Sequence, residues 1–172
     1  TQIFQMGPLD QGWWPDGLYT APSDEALLFD IKAMKELGFN MIRKHIKVEP
    51  SRWYMHCDRE GILVWQDLPS PNLPEGHEAF ARQNFEEEAV RIIDAFENHP
   101  SIVQWVVFNE GWGQFDTERM TQVVIDKVSP QSLVCCASGW NDTEIGDIKD
   151  SHSYPYSSCP IDQKRACVNG EY

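Results

Sequence analysis

Two glutamates carry the most pointed chemistry in this chain. Glu110 closes the apolar run Ile102-Val103-Gln104-Trp105-Val106-Val107-Phe108-Asn109, and Glu171 follows Val168-Asn169-Gly170. Each run reads as a β-strand that ends in a carboxylate. An acid that holds a proton and a carboxylate that stays ionised can together cleave an acetal. The first protonates the departing oxygen while the second attacks the carbon. Carboxylates delivered from the C-terminal ends of different strands are what a glycoside-cleaving site needs. Near other strand ends lie Asp10, Arg43, His45, Asp67, Asn109, Trp112, Trp140, His152 and Tyr154, which offer charge, hydrogen bonds and flat rings.

Other chemistries fit less well. Neither Ser138-Gly139 nor Gly7-Pro8 forms the strand-turn-helix elbow of a nucleophilic serine. No Gly-rich phosphate loop follows the first strand, and Gly111-Trp112-Gly113 is too short and follows the wrong one. Asp10, Asp67, Glu110 and His152 are the grouping that would meet at a cation, yet hydrolysis by paired carboxylates requires no metal. No metal and no cofactor are expected. Cys57, Cys135, Cys136, Cys159 and Cys167 lack metal-ligand spacing. Buried free thiols are the expectation, with a small-loop Cys159–Cys167 disulfide as the alternative.

The elements that must position these groups repeat as strand, turn and helix. Strands are expected at Ile3–Leu9, Phe39–Arg43, Ile62–Gln66, Ile102–Phe108, Leu133–Ala137, Ile148–Ser153 and Ala166–Gly170. Helices are expected from Ser23 or Asp24 to Leu37, from Pro50 to before Gly61, from near Glu78 to Glu97 and from Thr117 to Lys127. A Pro-rich loop spans Pro69 to Pro74. Nearly all-apolar strands alternating with helices indicate an α/β protein with a parallel sheet covered by helices. Polar and aromatic residues recur just past successive strand ends, which selects a TIM (β/α)8 barrel over a doubly wound sheet. The links after strands five and six are too short for full crossover helices, and no eighth strand remains. The reading is one partial barrel domain over residues 1–172, truncated after the seventh strand, with an open edge that calls for partner sequence.

Composition narrows the partners. Lys and Arg number 14 against 27 Asp and Glu, a net charge of −13 with no basic stripe, which disfavours nucleic acid and anionic membranes. No apolar run is long enough to span a bilayer. A carbohydrate substrate is compatible with that charge and with 7 Trp, 5 Tyr and 8 Phe. No signal peptide is visible, but the start reads as internal, so a periplasmic or extracellular parent protein is equally compatible. Oligomeric state is not legible.

Taken together, Asn98-His99-Pro100-Ser101, Trp105 and Asn109-Glu110 resemble glycoside hydrolase family 2, the β-galactosidase, β-glucuronidase and β-mannosidase group. The resemblance extends to Asn40-Met41-Ile42-Arg43-Lys44-His45, Trp65-Gln66-Asp67, His152-Ser153-Tyr154-Pro155 and Gly170-Glu171-Tyr172, and the tract Asp10 to Pro22 is similar to a bacterial branch. It implies a retaining β-glycosidase, β-galactosidase-like and exo-acting, with Glu110 as general acid/base and Glu171 as nucleophile. The two carboxyls would then stand about 5 to 5.5 Å apart. It further implies that Asn109 bonds the sugar 2-hydroxyl, Arg43 clamps Glu171 and Tyr154 bonds the nucleophile. His45, His152, Asp10 and Asp67 would reach sugar hydroxyls, with helix capping as the other reading of the two aspartates and a structural histidine with both nitrogens satisfied as the other reading of the two histidines. Trp112 and Trp140 would serve as stacking platforms, and Trp13 and Trp14 would line the entrance or pack within their loop. His99 follows a helix end on the bottom face and precedes the strand, a position that marks it as structural.

The family often follows the strand-two Arg with two small residues and His-Tyr-Pro, whereas Arg43 here precedes Lys44-His45-Ile46. It often has a small residue after the strand-four Trp, where this chain has Val106. Family members usually carry β-sandwich domains before the barrel, and these are expected elsewhere in the parent protein. Two other readings stay open: a non-catalytic carbohydrate-binding barrel, and a segment of a larger glycosidase that is inactive by itself.

Overall fold

The computed structural model describes residues 3–70, 72 and 78–172. Of the Pro-rich loop, Pro71, Leu73 and Pro74 lie outside the described residues. Among the described residues, seven strands and four helices follow one another as β1 (Leu9–Asp10), α1 (Asp24–Glu36), β2 (Met41–Lys44), α2 (Ser51–Glu60), β3 (Leu63–Asp67), α3 (Glu78–Phe96), β4 (Ile102–Asn109), α4 (Thr117–Lys127), β5 (Leu133–Ser138), β6 (Ile148–His152) and β7 (Ala166–Glu171). Every ladder is parallel. Strands β1 to β5 pair in chain order, and β6 pairs with β7 in a second sheet. This is the strand succession of a (β/α)8 barrel with seven strands present. No helix among the described residues is long and apolar enough to cross a membrane.

Helices begin and end where local chemistry dictates. Ser23 caps α1 by accepting from the Ala26 N–H, and Gly61 closes α2 in a left-handed conformation at φ 67°. One face of each helix packs on the outer face of the sheet. Leu27 and Ile31 from α1, Trp53, Tyr54 and Cys57 from α2, Phe85, Ala89 and Ile93 from α3, and Met120 and Val124 from α4 enclose Ile42, Val64, Trp105 and Val107. Each buried Leu, Ile, Val, Phe or Met among them stabilises the fold by about 1.5–3 kcal/mol relative to exposure. The inner face carries a smaller apolar cluster of Val106, Cys135 and Ile148. His99 lies at the bottom of the barrel, where Asp58 of α2 bonds its Nδ1 at 2.6 Å and the Ser101 N–H at 3.0 Å. That ties α2 to the start of β4, the structural role expected of His99.

The first strand is shorter than expected. Pro8 has no N–H to give, and Gly7 lies so close to the Met41 carbonyl that a Cβ would sit 1.7 Å from its oxygen. Isolated bonds such as Asn40 N to Met6 O at 3.1 Å hold this segment beside β2, and pairing becomes regular only at Leu9–Asp10. All five cysteines are free, but Cys159 is exposed and Cys167 half-buried rather than buried.

The β5–β6 boundary is a seam rather than a ladder. An Asp147 N to Val134 O bond of 2.8 Å and an isolated bridge between Cys135 and Gly146 hold it at one end. The short links after β5 and β6 contain no helix. Between β1 and β7 no ladder forms among the described residues. A cavity of about 810 Å³ opens there, bounded by Phe4, Met6, Leu9, Ile148, Val168 and Glu171.

Candidate active site

Strand register delivers the chemistry to one end of the barrel. It sets Asp10 beside Lys44, Asn109 beside Ser138 and His152 beside Glu171, all at C-terminal strand ends. Irregularities at Val64/Trp65 and Ser151/His152 re-aim the residues that follow.

Arg43 organises one half of the site. Its Nε and Nη2 donate to the two oxygens of Asp67, each at 3.0 Å, in a bidentate pair. Nη2 also donates to Asn109 Oδ1 at 2.8 Å, and Nη1 donates to Glu171 Oε1 at 3.1 Å. Arg43 and Asp67 are 3% and 1% exposed. Burial alone would push the Asp67 carboxyl up, but the Arg43 charge and the bonds from His45 and Arg43 outweigh it and hold the carboxyl below its ordinary range. Burial likewise opposes the Arg43 charge, and Asp67 more than restores it. Arg43 occupies Oδ1 of Asn109, and the amide nitrogen has no protein partner among the described residues.

Glu110 and Glu171 face each other across the other half. Glu110 Oε1 lies 2.7 Å from His152 Nδ1, and Glu171 Oε2 lies 3.7 Å from the same nitrogen. One oxygen from each carboxylate and this imidazole all fall within 4.8 Å of one another. The Tyr154 hydroxyl donates to Glu171 Oε2 at 2.5 Å. Burial and then the neighbouring Glu171 push the Tyr154 phenol up to about 12, which keeps it a donor. The side chain of His152 is fully enclosed, whereas those of Glu110 and Glu171 are 21% and 15% exposed. Glu110 itself adopts the left-handed φ of 51°, uncommon for a non-glycine residue. Its N–H donates to Ser138 O and its carbonyl accepts from Trp140 Nε1, both at 2.9 Å, and these bonds maintain the conformation.

The remaining expected residues divide. His45 gives or takes one bond, with Asp67 Oδ2 at 2.8 Å, and its other ring nitrogen has no protein partner among the described residues. Asp67 departs from the expectation that it grips a sugar hydroxyl. It is sealed beneath the site and serves to hold Arg43 and His45. Asp10 is not sealed: its oxygens accept from Gly12 N at 2.7 Å and Lys44 Nζ at 2.6 Å, bonds that brace the aromatic loop, and its side chain remains 25% exposed. Asp10 and Asp67 therefore do not join Glu110 and His152 in one cluster. Trp140 packs edge-on to His152 at 5.6 Å beside Glu110, and Trp112 is exposed two residues beyond it. Trp13 is exposed and packs on Tyr19 within its own loop, while Trp14 is half-buried against the core.

Five residues with no expected role prove central. Lys44, fully buried, bonds Asp10 and Glu49, and Lys47 bonds Glu49 at 2.8 Å and the Gly12 carbonyl at 2.6 Å. Two cations thus balance two anions, and they fasten the loop that begins at Asp10. This accounts for Lys44 where the family often has a small residue. Ser138 and Asp150 lie beneath His152. The two-residue period of a strand puts Ile148, Asp150 and His152 on one face, the signal that marks Asp150 from sequence.

A parallel α/β barrel with acids, an arginine and aromatic rings gathered at its C-terminal strand ends is the architecture of sugar-hydrolysing barrels. The family model of glycosyl hydrolases family 2, TIM barrel domain, matches residues 21–169, and the chain belongs to that family. Similar curated proteins include a β-glucuronidase of Bacteroides fragilis, 32% identical over 88 residues, covering 47% of this chain and 12% of that protein. A β-galactosidase of Lactococcus lactis subsp. lactis is 33% identical over 98 residues, covering 53% of this chain and 10% of that protein. The matched segments thus span about a tenth of the length of these relatives, which are bacterial, as the resemblance implied. Among solved structures, the apo form of Bacteroides uniformis β-glucuronidase 3 superposes with a TM-score of 0.69 at 19% identity, covering 86% of this chain and 20% of that one. That likeness speaks to the fold alone.

Proposed function

We propose that this barrel is the catalytic centre of a retaining β-glycosidase, β-galactosidase-like and exo-acting. The observation that carries this reading is the approach of Glu110 and Glu171, with one oxygen of each within 4.8 Å. Carboxyls this close leave no room for a water between acid and base, so the second acid attacks directly.

In this reading Glu110 protonates the glycosidic oxygen as Glu171 attacks the anomeric carbon. The aglycone leaves and a glycosyl ester forms on Glu171. Glu110, now a carboxylate, takes a proton from water, whose oxygen displaces Glu171 and restores the original configuration. Arg43 and Tyr154 each donate a hydrogen bond to Glu171 and hold it aimed. The unpartnered amide of Asn109 donates to the sugar 2-hydroxyl, a contact that strengthens in the transition state. His45 reaches a further hydroxyl, and Trp112 and Trp140 offer faces for sugar stacking.

The cations at these strand ends favour a neutral sugar. Arg43, Lys44 and Lys47 are buried and already paired with Asp67, Glu171, Asp10 and Glu49. None of the three is free to take the carboxylate of a uronic acid. A further strand, supplied by other sequence of the same protein, is proposed to fill the gap between β1 and β7, where Phe4 is 81% exposed.

The experiment is turnover of aryl β-galactoside, β-glucoside, β-mannoside and β-glucuronide by the intact protein, with Glu110→Gln beside it. Hydrolysis of a neutral glycoside that the variant loses supports the proposal. Binding of sugar without turnover of any glycoside would favour a carbohydrate-binding barrel instead.

A further inference from the structure

A continuous hydrogen-bonded chain runs from Glu110 into the barrel wall. Glu110 Oε1 lies 2.7 Å from His152 Nδ1, His152 Nε2 lies 2.8 Å from Ser138 Oγ, and Ser138 Oγ donates to Asp150 Oδ2 at 2.5 Å. It crosses from β4 to β6, then to β5, and back to β6. We infer that Asp150 is a positioning residue that, through Ser138 and His152, selects the protonated form of Glu110. The inference rests on the glycosidase reading of the same site.

The direction of each bond follows from the first. With Asp150 ionised, the Ser138 hydroxyl hydrogen is committed to Oδ2, so Ser138 Oγ accepts from His152 Nε2–H. A neutral imidazole protonated at Nε2 presents a lone pair at Nδ1. Glu110 can bond that lone pair only by donating a proton, which is the form a general acid requires. The reversed chain has the same number of protons. There Asp150 donates to Ser138, Ser138 donates to Nε2, and Nδ1–H donates to a Glu110 carboxylate. Moving between the two shifts each of three protons by one place and carries one net proton from Glu110 to Asp150. While the imidazole is neutral, the charge on Asp150 therefore decides which form of Glu110 is hydrogen-bonded.

The packing around this chain is built for it. A Cβ at Gly170 would meet Asp150 Oδ2 at 2.3 Å, and a Cβ at Gly139 would meet His152 Nδ1 at 2.7 Å. Both side chains occupy space that only glycine leaves open. The Gly170 N–H donates to Asp150 Oδ1 at 2.7 Å, which fixes the carboxylate next to the strand end carrying Glu171. Ser138 and the His152 side chain are fully enclosed, and Asp150 is buried. The charged and titratable groups facing Asp150 are Arg43 from β2, Cys135 from β5, His152 on its own strand and Cys159 from the loop after β6. Burial, partly offset by Ser138, Arg43 and His152, lifts the Asp150 carboxyl above its ordinary range, so either direction of the chain is within reach.

The test compares two leaving groups. A dinitrophenyl glycoside departs without protonation, whereas a phenyl glycoside needs the acid. In the intact protein, Asp150→Asn is expected to slow the phenyl glycoside by about tenfold or more, to move the alkaline limb of its kcat/KM profile to lower pH, and to change the dinitrophenyl rate by less than about twofold. Ser138→Ala, which breaks the chain but spares the Asp150 bond to Gly170, should give the same pattern and serves if Asp150→Asn does not fold. Equal loss on both substrates, or no change on either in folded protein, overturns the inference while leaving the glycosidase reading intact. A wild-type protein that hydrolyses neither substrate overturns both.

Discussion

Arg43 Nη1 and Glu171 Oε1 meet at 3.1 Å although 128 positions separate them in sequence. The contact joins the second strand to the seventh across the inside of the barrel. The same guanidinium holds Asp67 and Asn109, so one side chain fixes both the nucleophile candidate and the residue beside the acid candidate. Breaking such a pair leaves a charge buried without its partner.

Arg43→Met should therefore destabilise the protein by about 3–5 kcal/mol and abolish turnover. Arg43→Lys keeps the charge but loses the fork that grips Asp67 in bidentate fashion, and it should still impair both stability and rate. Denaturant titration and steady-state kinetics measure the two effects.

Replacing the glutamates separates their roles. Glu171→Gly should reduce hydrolysis of every aryl glycoside by several orders of magnitude, and added azide should restore turnover by filling the space of the lost nucleophile. Glu110→Ala should cost about 10²- to 10⁴-fold on poor leaving groups and far less on good ones. Azide should trap its glycosyl intermediate with retained configuration. Inverted product from Glu171→Gly and retained product from Glu110→Ala, identified by NMR, would assign the two. The opposite pattern would exchange the assignments.

Asp67 makes stability depend on acid. Its carboxyl is held below the ordinary value in the folded state, so the contribution is fully present above the unfolded value of about 3.9. It is lost as the pH falls through the lower folded value. Thermal melts between neutral pH and this acid range should fall more steeply for the native protein than for Asp67→Asn, which starts less stable and has less to lose.

Gly170→Ala probes the space that Asp150 occupies. The new methyl meets a carboxylate held on both oxygens, and overpacking of this kind costs about 1–3 kcal/mol. The cost should shrink when Asp150→Ala is combined with it, since the obstacle is then absent. A double-mutant cycle on unfolding free energies reads the coupling, and strict additivity would exclude the clash.

Much of the architecture was legible because the physics was local. Apolar runs such as Ile102–Phe108, helix caps such as Ser23 and stops such as Gly61 depend on near neighbours. The two glutamates were legible because each ends a strand. The first strand misled, since Ile3–Leu9 looks apolar enough to pair while Pro8 deprives it of a ladder donor. Asp67 misled in another way: a polar residue at a strand end looks available for ligand, and only the fold shows Arg43 folding back over it. Ser138 and Asp150 carry no motif, and their partnership depends on the seam between β5 and β6, which sequence spacing does not reveal.

That seam has a mechanical consequence. Glu110 stands at the end of the five-stranded sheet and Glu171 at the end of the two-stranded one, so the gap between their carboxyls is a distance between two separately hydrogen-bonded bodies. The gap works as a caliper whose jaws are set by a few polar clasps. Any motion that opens the jaws by a few ångströms would admit a water molecule between the acids and favour inversion over retention, about 6.5 Å being where that outcome begins. On the proposed retaining mechanism, stereochemical fidelity becomes a matter of stiffness at a joint, and loosening that joint should show first as a minor product of the opposite anomer.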